Sequence, residues 1–269
     1  MSVMPWRDRI WTHSAWQYPL AWIGSRTGAW GRRTIVVLSS YRFGSSLMMN
    51  YLHNQPNIRR RGEILNPDES VYGNFRKASV GRVIMHIKAM CFAPRGRMTM
   101  VKLMDSQLED HGLVLDDIIV ALDRPYIVAV YRRDLLSAYV SLRIAEANGI
   151  WYSTELVNNE SISIEIAALN NYVRSTRQRW THSAVRMRAY DRAVVVAYED
   201  MSEHPERTMN NVFDVLQLPH RGTVTETVRQ NPAPPHEKIK NYLELGLPQM
   251  VARGELTLDL EQILRRGAA

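Results

Sequence analysis

Cysteine is almost absent from this chain. Cys91 is the only one in 269 residues, so an internal disulfide is impossible and a cysteine-based zinc site is excluded. A single thiol suits a reducing compartment, and a cytoplasmic location is expected. Long apolar runs are missing too. No stretch of about 18 apolar residues occurs, so no membrane-spanning helix is expected. The opening residues do not read as a signal peptide, because Arg7, Asp8, Arg9 and His13 interrupt their apolar stretch. There is no internal repeat and no low-complexity segment. Basic residues form no run beyond Arg59, Arg60 and Arg61, which speaks against a nucleic-acid surface.

What is present is an ordinary globular composition, 45% hydrophobic and 23% charged. The length suffices for one α/β domain with a full core. The formal net charge is +7 (34 basic against 27 acidic residues), which favours an anionic partner. Five of the seven tryptophans, Trp6, Trp11, Trp16, Trp22 and Trp30, crowd into the N-terminus. Residues 1–33 are therefore expected to form an aromatic-rich segment packed on a domain spanning 34–269. A homodimer contact is another use for such a segment.

Apolar runs predict strands at Thr34–Leu38, 98–104, 126–131 and 193–198. Helical spacing fits Ser45–His53, 113–123, 133–148 with Gly149 as its stop, and 161–180. Met201–Leu216 reads as one helix with Pro205 in its first turn. Residues 59–70, RRRGEILNPDES, read as a polar loop. The last fifty residues hold a Pro-rich loop and then a short helix or two. Strands alternating with helices predict a mostly parallel sheet covered on both faces. Ligands of such sheets sit at the carboxyl ends of the strands, so the loops after Ser39, Met104, Tyr131 and Tyr198 share one rim.

The first of those loops carries the sharpest signal. After Leu38 the chain runs Ser39, Ser40, Tyr41, Arg42, Phe43, Gly44, Ser45, Ser46, Leu47. Gly44 permits a tight turn. The amides at the start of the following helix lack partners and point along the positive end of its dipole, which suits phosphate or sulfate. Ser45 and Ser46 add hydroxyls, and Arg42 adds a permanent charge. A nucleotide kinase would need G-x-x-x-x-G-K-[ST] here. Its lysine is missing, and no acidic strand end offers itself for magnesium. Sulfuryl transfer needs neither, because side-chain cations can balance the charge.

This stretch, SSYRFGSSLM, resembles the 5′-phosphosulfate loop of sulfotransferases that use 3′-phosphoadenosine 5′-phosphosulfate (PAPS), usually P-R-S-G-[ST]-[ST]. Two further stretches are similar to that family in order and spacing. VAVYRRDLLSAYVSLRIA (128–145) resembles its strand ending in Arg followed by a helix bearing Ser, with Arg133 and Ser141 eight apart. VVVAYEDMSEHPERTMNNVFDVLQLP (194–219) resembles its YEDL…P…F.FLGLP segment, with Tyr198 near the nucleotide. The bacterial carbohydrate sulfotransferases of the trehalose-modifying type also carry a KLM…QL stretch, matched by VKLMDSQL (101–108). Phe43 departs from the pattern, replacing a small hydroxyl residue.

The resemblance implies a P-loop-like three-layer α/β/α fold and a metal-independent enzyme moving a sulfuryl group from PAPS to a small-molecule hydroxyl. It implies a nucleotide site of Arg42, Phe43, Gly44, Ser45, Ser46, Leu47, Arg133, Ser141 and Tyr198, with Lys238 and Lys240 resembling a C-terminal basic loop near the nucleotide. Glu63 matches the acidic position that serves as base in the trehalose-type enzymes. His53, His86 and His111 are the other candidate bases. Lys102, at the end of a buried strand on the rim, needs an anionic partner; it suits the sulfuryl group or leaving oxygen, with Arg42 as second cation. A salt bridge from Lys102 to Glu63 or Asp105 is the structural alternative. Trp151 and Tyr152, after Gly149, offer aromatic faces to an acceptor. Two other functions stay open on the residues themselves: a kinase-like nucleotide enzyme, and a non-catalytic anion-binding protein on the same fold.

Overall fold

The computed structural model describes residues 33–66, 78–92, 97–151, 161–220, 222 and 233–265. The tryptophan-rich N-terminus and Tyr152 lie outside them. Among the described residues, five strands form one sheet: β1 (Thr34–Ser39), β2 (Ile58–Glu63), β3 (Met98–Met104), β4 (Tyr126–Tyr131) and β5 (Ala193–Ala197). All pair in parallel, in the order β2-β3-β1-β4-β5. β1 and β4 are buried along their whole length, as expected for inner strands covered on both faces. Every carboxyl end therefore opens on one rim.

Helices cover both faces and complete the three layers. One face carries α1 (Ser45–His53), and the chain returns to it much later. The other carries α2 (Val80–Met90), α3 (Asp105–Asp110), α4 (Leu115–Ala121), α5 (Leu135–Asn148) and α6 (Ile166–Arg188). Next come α7 (Tyr198–Glu203) and α8 (Pro205–Leu216), which pack beside α1 over Ile35, Val37, Val128 and Val130. The short helices α9 (Pro235–Lys238), α10 (Leu247–Ala252) and α11 (Leu260–Arg265) close the opposite face. Strand alternation separates the two cores: Val36, Leu38, Ala129 and Tyr131 face α5 and α6, and their neighbours face α1.

Three expectations need correction. Residues 58–63 form the edge strand β2, not a polar loop. Its arginines line a sheet edge, and only Ile58 and Glu63 are buried. The segment from Tyr198 to Leu216 is two helices, broken at His204, whose backbone (φ −131°, ψ 58°) leaves the helical region before Pro205 restarts it. The long helix begins at Ile166, because Ile162 instead pairs with the backbone at Lys238 and Lys240.

A bulge in β2 decides the site. Arg60 pairs with Met100, but Gly62 pairs with Val101 and Glu63 with Lys102, so Arg61 is one residue too many. Gly62 sits at φ 75°, a conformation that costs glycine nothing. A one-residue slip turns every later side chain to the other face. Glu63 thereby joins Lys102 on the α1 side instead of pointing away from it.

Candidate active site

The loop between β1 and α1 is built from both sides of the sheet. Phe43 turns inward, fully buried, and stacks on Trp180 of α6 with ring centres 6.0 Å apart. Trp180 also donates its indole N–H to Ser40 Oγ at 2.8 Å. Phe43 thus anchors the loop where the motif usually has a hydroxyl, and burying its ring is worth about 1.5–3 kcal/mol. Gly44 follows at φ 94°, where a Cβ would stand 2.4 Å from Tyr198 Cδ2. Tyr198 therefore closes over the glycine. No side chain caps α1, and its first turn holds no acidic residue, so its opening amides are available to an anion. Ser45 is buried, and Ser46 and Leu47 are half-buried beside it.

Two guanidinium groups meet at this loop. Arg42, in the left-handed region at φ 65°, donates from Nε to Ser141 Oγ at 2.9 Å and from Nη1 to the carbonyl of Trp151. Arg132 donates to the Arg42 carbonyl at 3.3 Å and lies 4.8 Å from the centre of the Tyr198 ring. Its Nε is buried with no hydrogen-bond partner among the described residues. No carboxylate among the described residues pairs with either arginine. Burial, and then Arg132, push the Arg42 guanidinium below its ordinary pKa.

Arg133 has different company. It makes a bidentate pair with Asp200 at 2.7 Å and a further bond to Glu261 at 2.7 Å, and its backbone N–H donates to Glu199. These bonds hold the Asp200 carboxyl below the usual carboxylate range. The structure thus brings Arg42, Ser141, Tyr198 and the unforeseen Arg132 together. It ties Arg133, eight residues before Ser141, to acidic side chains. Lys238 and Lys240 sit on a segment whose backbone pairs with Ile162, and no described contact joins them to the loop.

Two strands over from β1, the bulge sets Glu63 on β2 against Lys102 on β3. The ion pair spans 2.7 Å, and Glu63 is 7% exposed. Gln107 Nε2 donates to Glu63 Oε1 at 2.8 Å and to the Tyr41 hydroxyl at 3.1 Å, and Tyr41 itself reaches Glu63 at 3.5 Å. Burial and the nearby Glu63 push the Tyr41 hydroxyl up to about 12. Trp151, half exposed, sets its ring 5.8 Å from Tyr41. Arg60 turns to Asn50 on α1. The salt bridge foreseen for Lys102 is made with Glu63; Asp105 pairs with Arg179 at 2.7 Å.

The histidines stand apart. His86 is buried, with Nε2 2.8 Å from the Ile64 carbonyl, and burial lowers its pKa. His111 caps α3 and is also lowered by burial. His53 lies exposed at the end of α1. Among the described residues, no group of three or more His, Cys, Asp or Glu side chains is arranged to hold a metal.

No protein-family model and no curated protein matches this chain. Solved structures do. A sulfotransferase from Mycobacterium tuberculosis H37Rv is similar at a TM-score of 0.50 and 11% identity, over 94% of this chain and 81% of that one. The chain has the sulfotransferase fold. A mouse sulfotransferase complexed with PAP (TM-score 0.48, 10% identity, 96% of this chain and 95% of that one) and the sulfotransferase domain of a Synechococcus olefin synthase (0.44, 14%, 88% and 94%) are also similar. Within a sulfotransferase fold, the loop at 40–47 occupies the first strand-to-helix turn of the sheet, and the Glu63–Lys102 pair lies at the ends of the two strands beyond it.

Proposed function

We propose that this chain moves a sulfuryl group from PAPS to a hydroxyl of a small acceptor, a carbohydrate, glycolipid or secondary metabolite. One observation carries the proposal: two arginines without carboxylate partners among the described residues converge on an uncapped helix start, beside a Glu–Lys pair whose carboxylate is buried. The orphaned Nε of Arg132 fits a second anionic group near the loop. The amides of residues 45 to 47, Ser45, Ser46 and Arg42 would hold the 5′-phosphosulfate. Arg132 and Ser141 would hold the 3′-phosphate, and Tyr198 the nucleoside beside it. Lys238 and Lys240 would join them if their segment turns to the loop. The donor supplies a sulfuryl group already activated by its phosphate leaving group.

Glu63 accepts the proton of the acceptor hydroxyl, and Lys102 serves the sulfuryl or leaving oxygen, with Arg42 as the second cation. Both roles start from the ion pair they now share. Lys102 must leave Glu63 for the anion, which unmasks the carboxylate when charge arrives to attract the lysine. Trp151 offers its exposed face to the acceptor.

Calorimetric titration with adenosine 3′,5′-bisphosphate, in chelator and then with magnesium, tests this. Binding without metal is expected, with a stability gain of about 2.7 kcal/mol at 100 times the dissociation constant. A melting curve unmoved by saturating nucleotide refutes the proposal. Binding that appears only with magnesium favours a kinase-like enzyme, and binding of polyanions alone favours a non-catalytic protein.

A further inference from the structure

We infer that Gln107 is the positioning residue for the Glu63 carboxylate, holding one oxygen so that the other receives the proton. The inference rests on the proposal that Glu63 is the base. Gln107 is buried, in the first turn of α3. Its Oε1 accepts from the Met104 backbone N–H at 3.4 Å. That bond fixes the sense of the amide, since the reversed group would set two donors against each other. The amide nitrogen must then face Glu63 and Tyr41, and each of its two hydrogens has a partner.

The consequence falls on the carboxylate. Oε1 of Glu63 already accepts from Gln107, so a proton placed there would oppose a fixed donor. Among the described residues, Oε2 faces the ammonium of Lys102. When Lys102 turns to the sulfuryl group, Oε2 alone is free for the acceptor. The acceptor's proton passes to Oε2 as its oxygen bonds to sulfur, and the sulfur–oxygen bond to the phosphate breaks with its electron pair on the leaving oxygen. Tyr41 braces Gln107 from the phosphosulfate loop, so the loop and the base share one amide.

The charged groups around Glu63 come from several elements. Lys102 approaches from β3, and Tyr41 from the loop, with Asp110 acting on it. Arg59, Arg60 and Arg61 share its own strand. His86 sets its Nε2 2.8 Å from the carbonyl of the next residue, Ile64. Among the described residues, Lys102 is the one of these within 3 Å of the carboxylate, on the oxygen opposite the neutral Gln107 amide.

The test follows the Glu63 side chain by carbon-13 NMR in the full chain labelled at the glutamate carboxyl, its resonance assigned by its loss in Glu63→Gln. In the near-isosteric Gln107→Glu, two carboxylates must share a proton, and the Glu63 titration midpoint should rise by about one pH unit or more. Gln107→Met should raise it less, and Tyr41→Phe least, because its contact is the longest. Hydrolysis of PAPS without added acceptor should slow about tenfold or more in Gln107→Met, with adenosine bisphosphate affinity within about twofold of the parent. A midpoint unmoved in Gln107→Glu, in a chain that binds the nucleotide normally, overturns the role of Gln107. A parent chain that binds no nucleotide refutes the base role of Glu63 instead.

Discussion

Arg132→Ala should damage nucleotide binding far more than Arg133→Ala. The two arginines are neighbours in sequence, but Arg132 is 8% exposed and keeps a buried Nε without a partner among the described residues. Its one hydrogen bond among the described residues, to the Arg42 carbonyl, is long at 3.3 Å. An incoming phosphate therefore gains a charged partner that displaces little. A charge-assisted hydrogen bond contributes about 1.5–3 kcal/mol, so the dissociation constant for adenosine 3′,5′-bisphosphate should rise roughly 10- to 150-fold. Arg133 would first have to leave Asp200 and Glu261. Its removal should shift affinity by no more than about threefold, and it should lower stability by about 1 kcal/mol, since the groups involved are a third or more exposed. Titration calorimetry of both variants, with melting curves as the control for folding, separates the effects. A larger loss of affinity in Arg133→Ala would refute the reasoning and restore the residue that spacing to Ser141 favours.

Glu63→Gln should leave adenosine bisphosphate affinity nearly unchanged while turnover falls about 10²–10⁴-fold; near-normal turnover in a PAPS assay would move the base to a histidine. Gly44→Ala should destabilise the chain by about 1–3 kcal/mol and weaken the nucleotide, because its backbone is left-handed and its Cβ would strike Tyr198; denaturant melts and calorimetry read both. The acid limb of stability should depend on Asp200. Arg133 depresses its folded pKa, so its contribution is present above the ordinary carboxylate value and is lost as pH falls through the folded one. Asp200→Asn should therefore lower stability at neutral pH and lose less on acidification than the parent, as followed by melting temperature against pH.

The inner sheet was legible because burial leaves a plain trace. Thr34–Leu38 and 126–131 are β-branched runs bounded by turns, and each became a buried inner strand within a residue. β2 left no such trace. An edge strand buries little, so three arginines and a glycine cost it nothing, and its residues read as loop. The break at His204 was also hidden, since proline is equally at home in a first helical turn and after a break.

The site was half legible for a related reason. Spacing can place a motif on the right loop, but facing requires register. Glu63 becomes a candidate from its place after α1, yet its approach to Lys102 depends on a bulge that no periodicity announces. Arg132 did carry a signal. Val128 and Val130 of β4 lie on the α1 face with the loop, and Ala129 and Tyr131 lie on the other. Extending that alternation by two residues sends Arg132 toward the loop and Arg133 away from it. An eight-residue count to Ser141 selects Arg133 instead, whose guanidinium pairs with Asp200 and Glu261. Here Asp134 caps the helix immediately, accepting from the Ser137 N–H at 2.9 Å. With that cap fixed, the strand parity is the firmer guide, because a side chain's face follows from the backbone while a spacing rule presumes a loop of constant length.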